Sequence, residues 1–191
     1  MELVFNIFIG IGLAATCGFR VFVPLLVMGI ANMIGYLELS PGFAWIGSYP
    51  TLVIFGIATA VEIAAYFIPY VDNLLKTISI PISAIAGIVV TAAVVTDISP
   101  VLKWPLAIIA GGGAASVTSL ISNGAHGTST VFSGGTVNPI VSAGETLVSV
   151  IMSILAILFP LVAVSLLVIM IMVIVRRVRR FKERRYKQKH T

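Results

Sequence analysis

The feature that most constrains this chain is how little charge it can offer to water. Residues 1–175 hold three basic side chains (Arg20, Lys76, Lys103) and six acidic ones (Glu2, Glu38, Glu62, Asp72, Asp97, Glu145). A soluble domain gives about a quarter of its residues to Asp, Glu, Lys and Arg. Here the share is 10% of 191 residues, while 59% are hydrophobic and the mean hydropathy is +1.11. Folded in water, such a chain would have to expose most of its apolar side chains. That excludes a soluble globular enzyme, a disordered regulator and a typical nucleic-acid reader. The solvent for most of its surface is lipid. The length suits a single integral membrane domain over residues 1–175.

Charge returns only at the end of the chain. Nine of the twelve basic residues fall within 176–191, beginning with Arg176, Arg177, Arg179 and Arg180. A polybasic tail beside the last apolar run is expected in the cytoplasm by the positive-inside rule. Its expected partners are the anionic headgroups of the bilayer. It has no aromatic-interleaved motif, so nucleic acid is not an expected partner. The single cysteine, Cys17, excludes an intramolecular disulfide framework. The first residues lack the cationic start of a signal peptide, so the first apolar stretch is expected to be retained.

The apolar runs are measured against a hydrocarbon core of about 30 Å, or about 20 helical residues. Leu3 to Tyr36 is 34 residues, about 51 Å as one straight helix, and must be broken. Gly18, Arg20 and Pro24 mark the break, giving two half-helices or a strongly kinked span. A second span is expected from about Tyr49 to Ile68, with Glu62 inside it. Pro69 then suits the first turn of a third span, which runs to about Thr96. Asp97 to Pro105 reads as a short interfacial turn, and Leu106 to Ser122 as a fourth span. The Gly/Ser/Thr-rich stretch from Asn123 to Glu145 carries no charge before Glu145, which suits backbone re-entering the membrane. Asn138-Pro139 would restart a helix there. The last run, Thr146 to Val175, is interrupted by Pro160. The expected fold is therefore all-α, a polytopic membrane helix bundle of about five spans, with interruptions near 18–24 and 123–139. Five spans would put the N-terminus outside and the basic tail inside, and four or six result if the broken segments form hairpins. Gly111-Gly112-Gly113 is a small-residue stripe where two helices can approach closely.

Several residues resemble a known family. Gly12-Leu-Ala-Ala-Thr-Cys-Gly-Phe-Arg20 is followed by Pro24-Leu-Leu, and Ile68-Pro-Tyr-Val-Asp72 comes next. Ser129-Thr130 then precede Gly134-Gly135, Asn138-Pro-Ile-Val-Ser142 and Glu145. Together, in this order, they resemble the family called domain of unknown function 4126, small and mostly bacterial multispanning membrane proteins. The resemblance covers about residues 8–170. It implies a fold and a location in the bacterial inner membrane, and no activity. His126 departs from the family pattern, where an arginine or other polar residue is expected, and the polybasic tail lies outside it.

The polar residues within apolar surroundings are the candidate site. A charge at mid-bilayer costs on the order of 2.5–3.5 kcal/mol on insertion scales. Arg20 reads as a ligand for an anion or headgroup, or as a snorkelling or ion-paired structural residue. Glu62 reads as a proton or cation site, or as the counter-charge of Arg20. Both alternatives predict that the two face one interior cavity. His126, Ser133, Thr136, Asn138 and Glu145 would add polar groups from an unwound segment, as in discontinuous transporter helices, or would belong to a plain loop. There is no His-Glu-x-x-His, no paired-cysteine metal site and no nucleophile elbow, so neither an enzyme, a metal nor a cofactor is expected. Two functions remain: a small inner-membrane transporter or channel-like permease for an anionic solute or a lipid headgroup, and a non-transporting assembly subunit of a larger membrane complex. A homo-oligomer or a membrane-complex partner is compatible with either.

Overall fold

The computed structural model describes residues 2–65, 68–96, 98–133 and 138–189. Among these there are helices and no strands. The helices are α1 (Glu2–Cys17), α2 (Phe22–Met33), α3 (Tyr49–Ala65), α4 (Pro69–Val94), α5 (Pro100–Leu106), α6 (Gly113–Ser133), α7 (Asn138–Leu158) and α8 (Pro160–Lys189). A 3-10 segment, Pro41–Gly47, precedes α3, and a π-helical stretch, Ala107–Gly112, joins α5 to α6.

The outer surface is apolar and the interior is partly polar, the reverse of a soluble domain. On α7, Ile140, Leu147, Ile151, Ile154 and Leu158 are exposed, whereas Ser142, Glu145, Ser149 and Ser153 are buried. Large apolar side chains gain nothing by facing water, and buried hydroxyls need hydrogen-bond partners. Both demands are met in a bilayer. The chain is a membrane protein. Three helical stretches are long and apolar enough to cross a membrane: Leu75–Val94, Pro100–Gly124 and Ile140–Leu158. The 3-10 segment with α3, bent by 63°, brings the number to four among the described residues.

The first long apolar run reverses rather than kinks. Asn6 near the start of α1 hydrogen-bonds Thr96 just past α4, at 2.9 Å. Ser40, just past α2, donates its amide to Ala93 O near the end of α4, at 2.8 Å. The hairpin α1–α2 therefore opens at the end of the bundle where α4 finishes, and its tip, Gly18 to Val21, lies deep inside. Its arms of 16 and 12 residues are about 24 and 18 Å long, each short of a bilayer. Pro24 sits in the first turn of α2, where it costs no hydrogen bond, so the reversal is set by Gly18 to Val21 alone. A turn with Gly35 at φ +79° ends the second arm, as the amides of Tyr36 and Leu37 return to Ala31 O.

α7 runs antiparallel to α1: Arg20 meets Ser142, Thr16 meets Ser153, and Gly12 meets Ala156. It thus ends where α1 begins. At Phe159-Pro160 the chain bends sharply. Ala156 and Ala163, about 10 Å apart on a straight helix, both lie within 4 Å of a Cβ placed on Gly12.

Two other expectations are corrected. Pro105 does not end a turn: the helix starts at Pro100 and absorbs Pro105 by widening into the π-helical stretch. Asn123 to Ser133 is helical, so the expected interruption does not begin there, and 134–137 lie outside the described residues. In a membrane protein a backbone has to satisfy its own amides, and that outweighs the poor helix propensity of Gly, Ser and Thr. α6 runs unbroken through Gly124 and His126. Pro69, Pro139 and Pro160 each stand in the first two positions of a helix, as proline should.

Glycine makes the close crossings possible. A Cβ on Gly18 would lie 2.6 Å from both Ala115 O and Ser119 N on α6. A Cβ on Gly87 would lie 2.7 Å from Gly111 O, so α4 and the π-helical stretch touch backbone to backbone, and Gly112 packs against Ile88. Gly113 faces open space. Gly18→Ala is expected to destabilise the protein by about 1–3 kcal/mol, because rigid backbone cannot yield to the new methyl. Gly113→Ala should be neutral or slightly stabilising, and thermal unfolding of the two purified variants in one detergent compares them.

Candidate functional site

The tip of the hairpin is the place where helical hydrogen bonding stops inside the bundle. The amides of Gly18, Phe19 and Arg20 turn back to Ala15 O and Thr16 O. The next two have no carbonyl within reach on their own segment. Val21 N donates to Glu62 Oε1 at 2.8 Å, and Phe22 N to Glu62 Oε2 at 3.1 Å. Glu62, from α3, is thus a cap for the first turn of α2, each carboxylate oxygen taking one amide. Its negative charge sits at the positive end of that helix.

Arg20 turns the other way, toward α7. It is 1% exposed. Nε donates to Thr146 Oγ1 at 3.0 Å and Nη2 to Ser142 O at 2.8 Å. Thr146 Oγ1 donates in turn to Ser142 O at 2.9 Å, closing a small ring of bonds. Burial excludes the snorkelling arginine, whose head would be in water. The two charges feel one another through space, but their hydrogen bonds lead to different helices. Arg20 fastens the tip to α7, and Glu62 fastens it to α3.

Around this point α6 and α7 present hydroxyls inward. Ser122 Oγ donates to Glu145 Oε1 at 2.5 Å. Thr16 Oγ1 gives its proton to Leu13 O at 2.7 Å, so in its 3.0 Å contact with Ser153 Oγ it accepts. Ser79 and Asn123 are joined at 2.9 Å across α4 and α6. Ser79, Ser122, Ser142 and Glu145 gather on α4, α6 and α7 around the hairpin tip. Arg20 and Glu62 join them there. The fold places Arg20 in a polar layer that the hairpin reaches from the opposite end of the bundle.

Beside this layer runs a groove of about 530 Å³ between α3 and α4. Ile54, Ile57, Val61, Ile78 and Ile82 form its walls, with Glu62, Ser79, Val21 and Phe22 also lining it. Arg20 is not among the described residues that line it, so the shared cavity expected for the two charges is not found. Glu62 alone faces the groove.

The remaining candidates divide. Glu145 joins the polar layer. His126 and Ser133 fall on α6 and Asn138 opens α7, with side chains outside those described, and Thr136 lies outside the described residues altogether. Arg176 is exposed on α8, and the side chains of Arg177, Arg179 and Arg180 lie outside those described. Among the described residues no three His, Cys, Asp or Glu side chains come together as metal ligands would. Sequence reading missed Ser142, Thr146, Ser149 and Ser153, though their spacing of three or four residues on an apolar helix marks one inward face.

These features define a polytopic α-helical membrane protein with a polar layer at the tip of an internal hairpin. The chain belongs to the family described as Domain of unknown function (DUF4126), whose sequence model matches residues 7–180. No curated protein and no solved structure matches it.

If the Arg20 ring fastens the hairpin, Arg20→Ala should cost about 1.5–3 kcal/mol and Thr146→Val about 1 kcal/mol. The double variant should then lose less than the sum by at least about 0.5 kcal/mol, the mark of a direct interaction. Strict additivity in unfolding experiments would show that the bond contributes nothing.

Proposed function

We propose that the protein is a small permease of the bacterial inner membrane, with its basic tail in the cytoplasm on anionic headgroups, and that it handles an amphiphilic molecule which enters sideways from the lipid. The groove carries this reading: its walls are apolar, and one end holds a carboxylate and a hydroxyl. A cleft of this volume lies in the range of about 300–1,000 Å³ used for small ligands. A re-entrant reading of the α1–α2 hairpin supports it too, since broken helices meeting inside a membrane line pathways. Arg20 serves this reading as an anchor for the tip, which leaves Glu62 and the groove as the ligand contact.

The assembly-subunit reading draws on one observation, the burial of Arg20 with its bonds to Thr146 and Ser142, which suits a structural residue. Its other support is weaker, because Gly111 and Gly112 are used within the chain, against α4.

The test is movement of NBD-labelled short-chain amphiphiles across vesicles, followed by dithionite quenching. The purified protein should raise the rate at least about tenfold for one headgroup class, and Ile78→Trp, which fills the groove, should remove the gain. Rates equal to those of empty vesicles for every headgroup would sink the permease and favour the assembly subunit.

A further inference from the structure

We infer that the α3–α4 groove is a binding site for a lipophilic organic cation, with its charged head at the Glu62 carboxylate and its apolar tail along Ile57, Ile54 and Ile82. The inference deepens the permease reading by naming the ligand class, while binding and movement are measured apart and can fail apart.

The geometry begins with the direction of the helices. α3 packs antiparallel to α2, since Glu62 meets Phe22 at one end and Leu52 lies against Gly29 at the other. α3 therefore starts at the end of the bundle where α4 finishes, and the two helices run antiparallel. The groove between them has unlike ends. At one are Glu62 and Ser79; toward the other are Ile54 and Ile82. Glu62 and Ile54 are eight residues apart on α3, about 12 Å, which is the length of a short alkyl tail.

Charge decides the head. Among the described residues that line the groove, Glu62 is the one ionisable group. A carboxylate has about four lone-pair sites, and the amides of Val21 and Phe22 occupy two. The remaining capacity belongs to a half-buried group at the rim of an apolar cleft, where a cation gains more than it would in water. An anionic head would face the carboxylate without a counter-charge, and a phospholipid would bring a phosphate that no described lining residue can match. A simple amine or quaternary ammonium meets neither obstacle.

The same carboxylate holds the first turn of α2. A bound cation therefore shares one carboxylate with two backbone amides, and the ligand acts directly on the tip of the hairpin.

The test places a reporter thiol in the groove: Ile57→Cys in a Cys17→Ala background, in the full chain. Modification by a maleimide is timed with decyltrimethylammonium, decyl sulfate or decanol present. The cation should slow modification by at least about tenfold at concentrations where the other two have little effect, and Glu62→Gln should abolish the protection. Should Glu62→Gln fail to fold, Ile78→Trp leaves the cap intact and should likewise abolish protection. Equal protection by cation and anion, or protection that survives Glu62→Gln or Ile78→Trp, would overturn the inference. Selective protection without movement across vesicles would uphold the site and sink the permease.

Discussion

The structure depends on two hydrogen bonds that one carboxylate accepts from the backbone of another helix. A chain that reverses inside a bilayer leaves amides with no water to meet them, and each orphan in hydrocarbon costs several kcal/mol. Glu62 removes that cost for Val21 and Phe22. Once α2 can start at the tip, its arm can return beside α3, and Gly18 can press onto the backbone of α6. Arg20 then lies where α7 offers a carbonyl and a hydroxyl. Without the cap, the first 34-residue apolar run has no acceptable way to fold back.

The interior follows the same logic. Lipid does not drive apolar helices together, so close backbone approach and hydrogen bonds have to. Gly10, Gly87 and Gly111 provide the approach, with Thr91 Oγ1 reaching Gly10 O at 3.2 Å. Thr16, Ser149 and Ser153 provide bonds between α1 and α7. Small and hydroxylated residues thus do inside this bundle what leucine and phenylalanine do inside a soluble one.

Much of this was legible in the residues. The membrane class, the break at Gly18–Arg20, the proline starts at 69, 139 and 160, and the importance of Arg20 and Glu62 all follow from composition and position. The reversal of α1–α2 did not, because apolar periodicity reports a helix and not the direction in which the next one leaves. Pairing Arg20 with Glu62 was the natural reading of two opposite charges. It missed the partners they found, because a backbone amide or carbonyl has no letter of its own. The stretch from Asn123 to Ser133 misled for a related reason: glycine, serine and threonine advertise a loop in water, and their propensities count for less in a membrane protein.

The order in which the chain is made adds a consequence. Arg20 and Ser142 are separated by 122 positions, and Thr16 and Ser153 by 137. The hairpin leaves the ribosome first, yet α3 must emerge before its tip is capped, and α7 before its arginine is satisfied. The hairpin's bonds to α7 therefore form only after that helix has been made. A polypeptide that stops before α7 holds a guanidinium with nowhere to go. The residue that fastens the finished bundle thus ties its earliest helices to one of its latest.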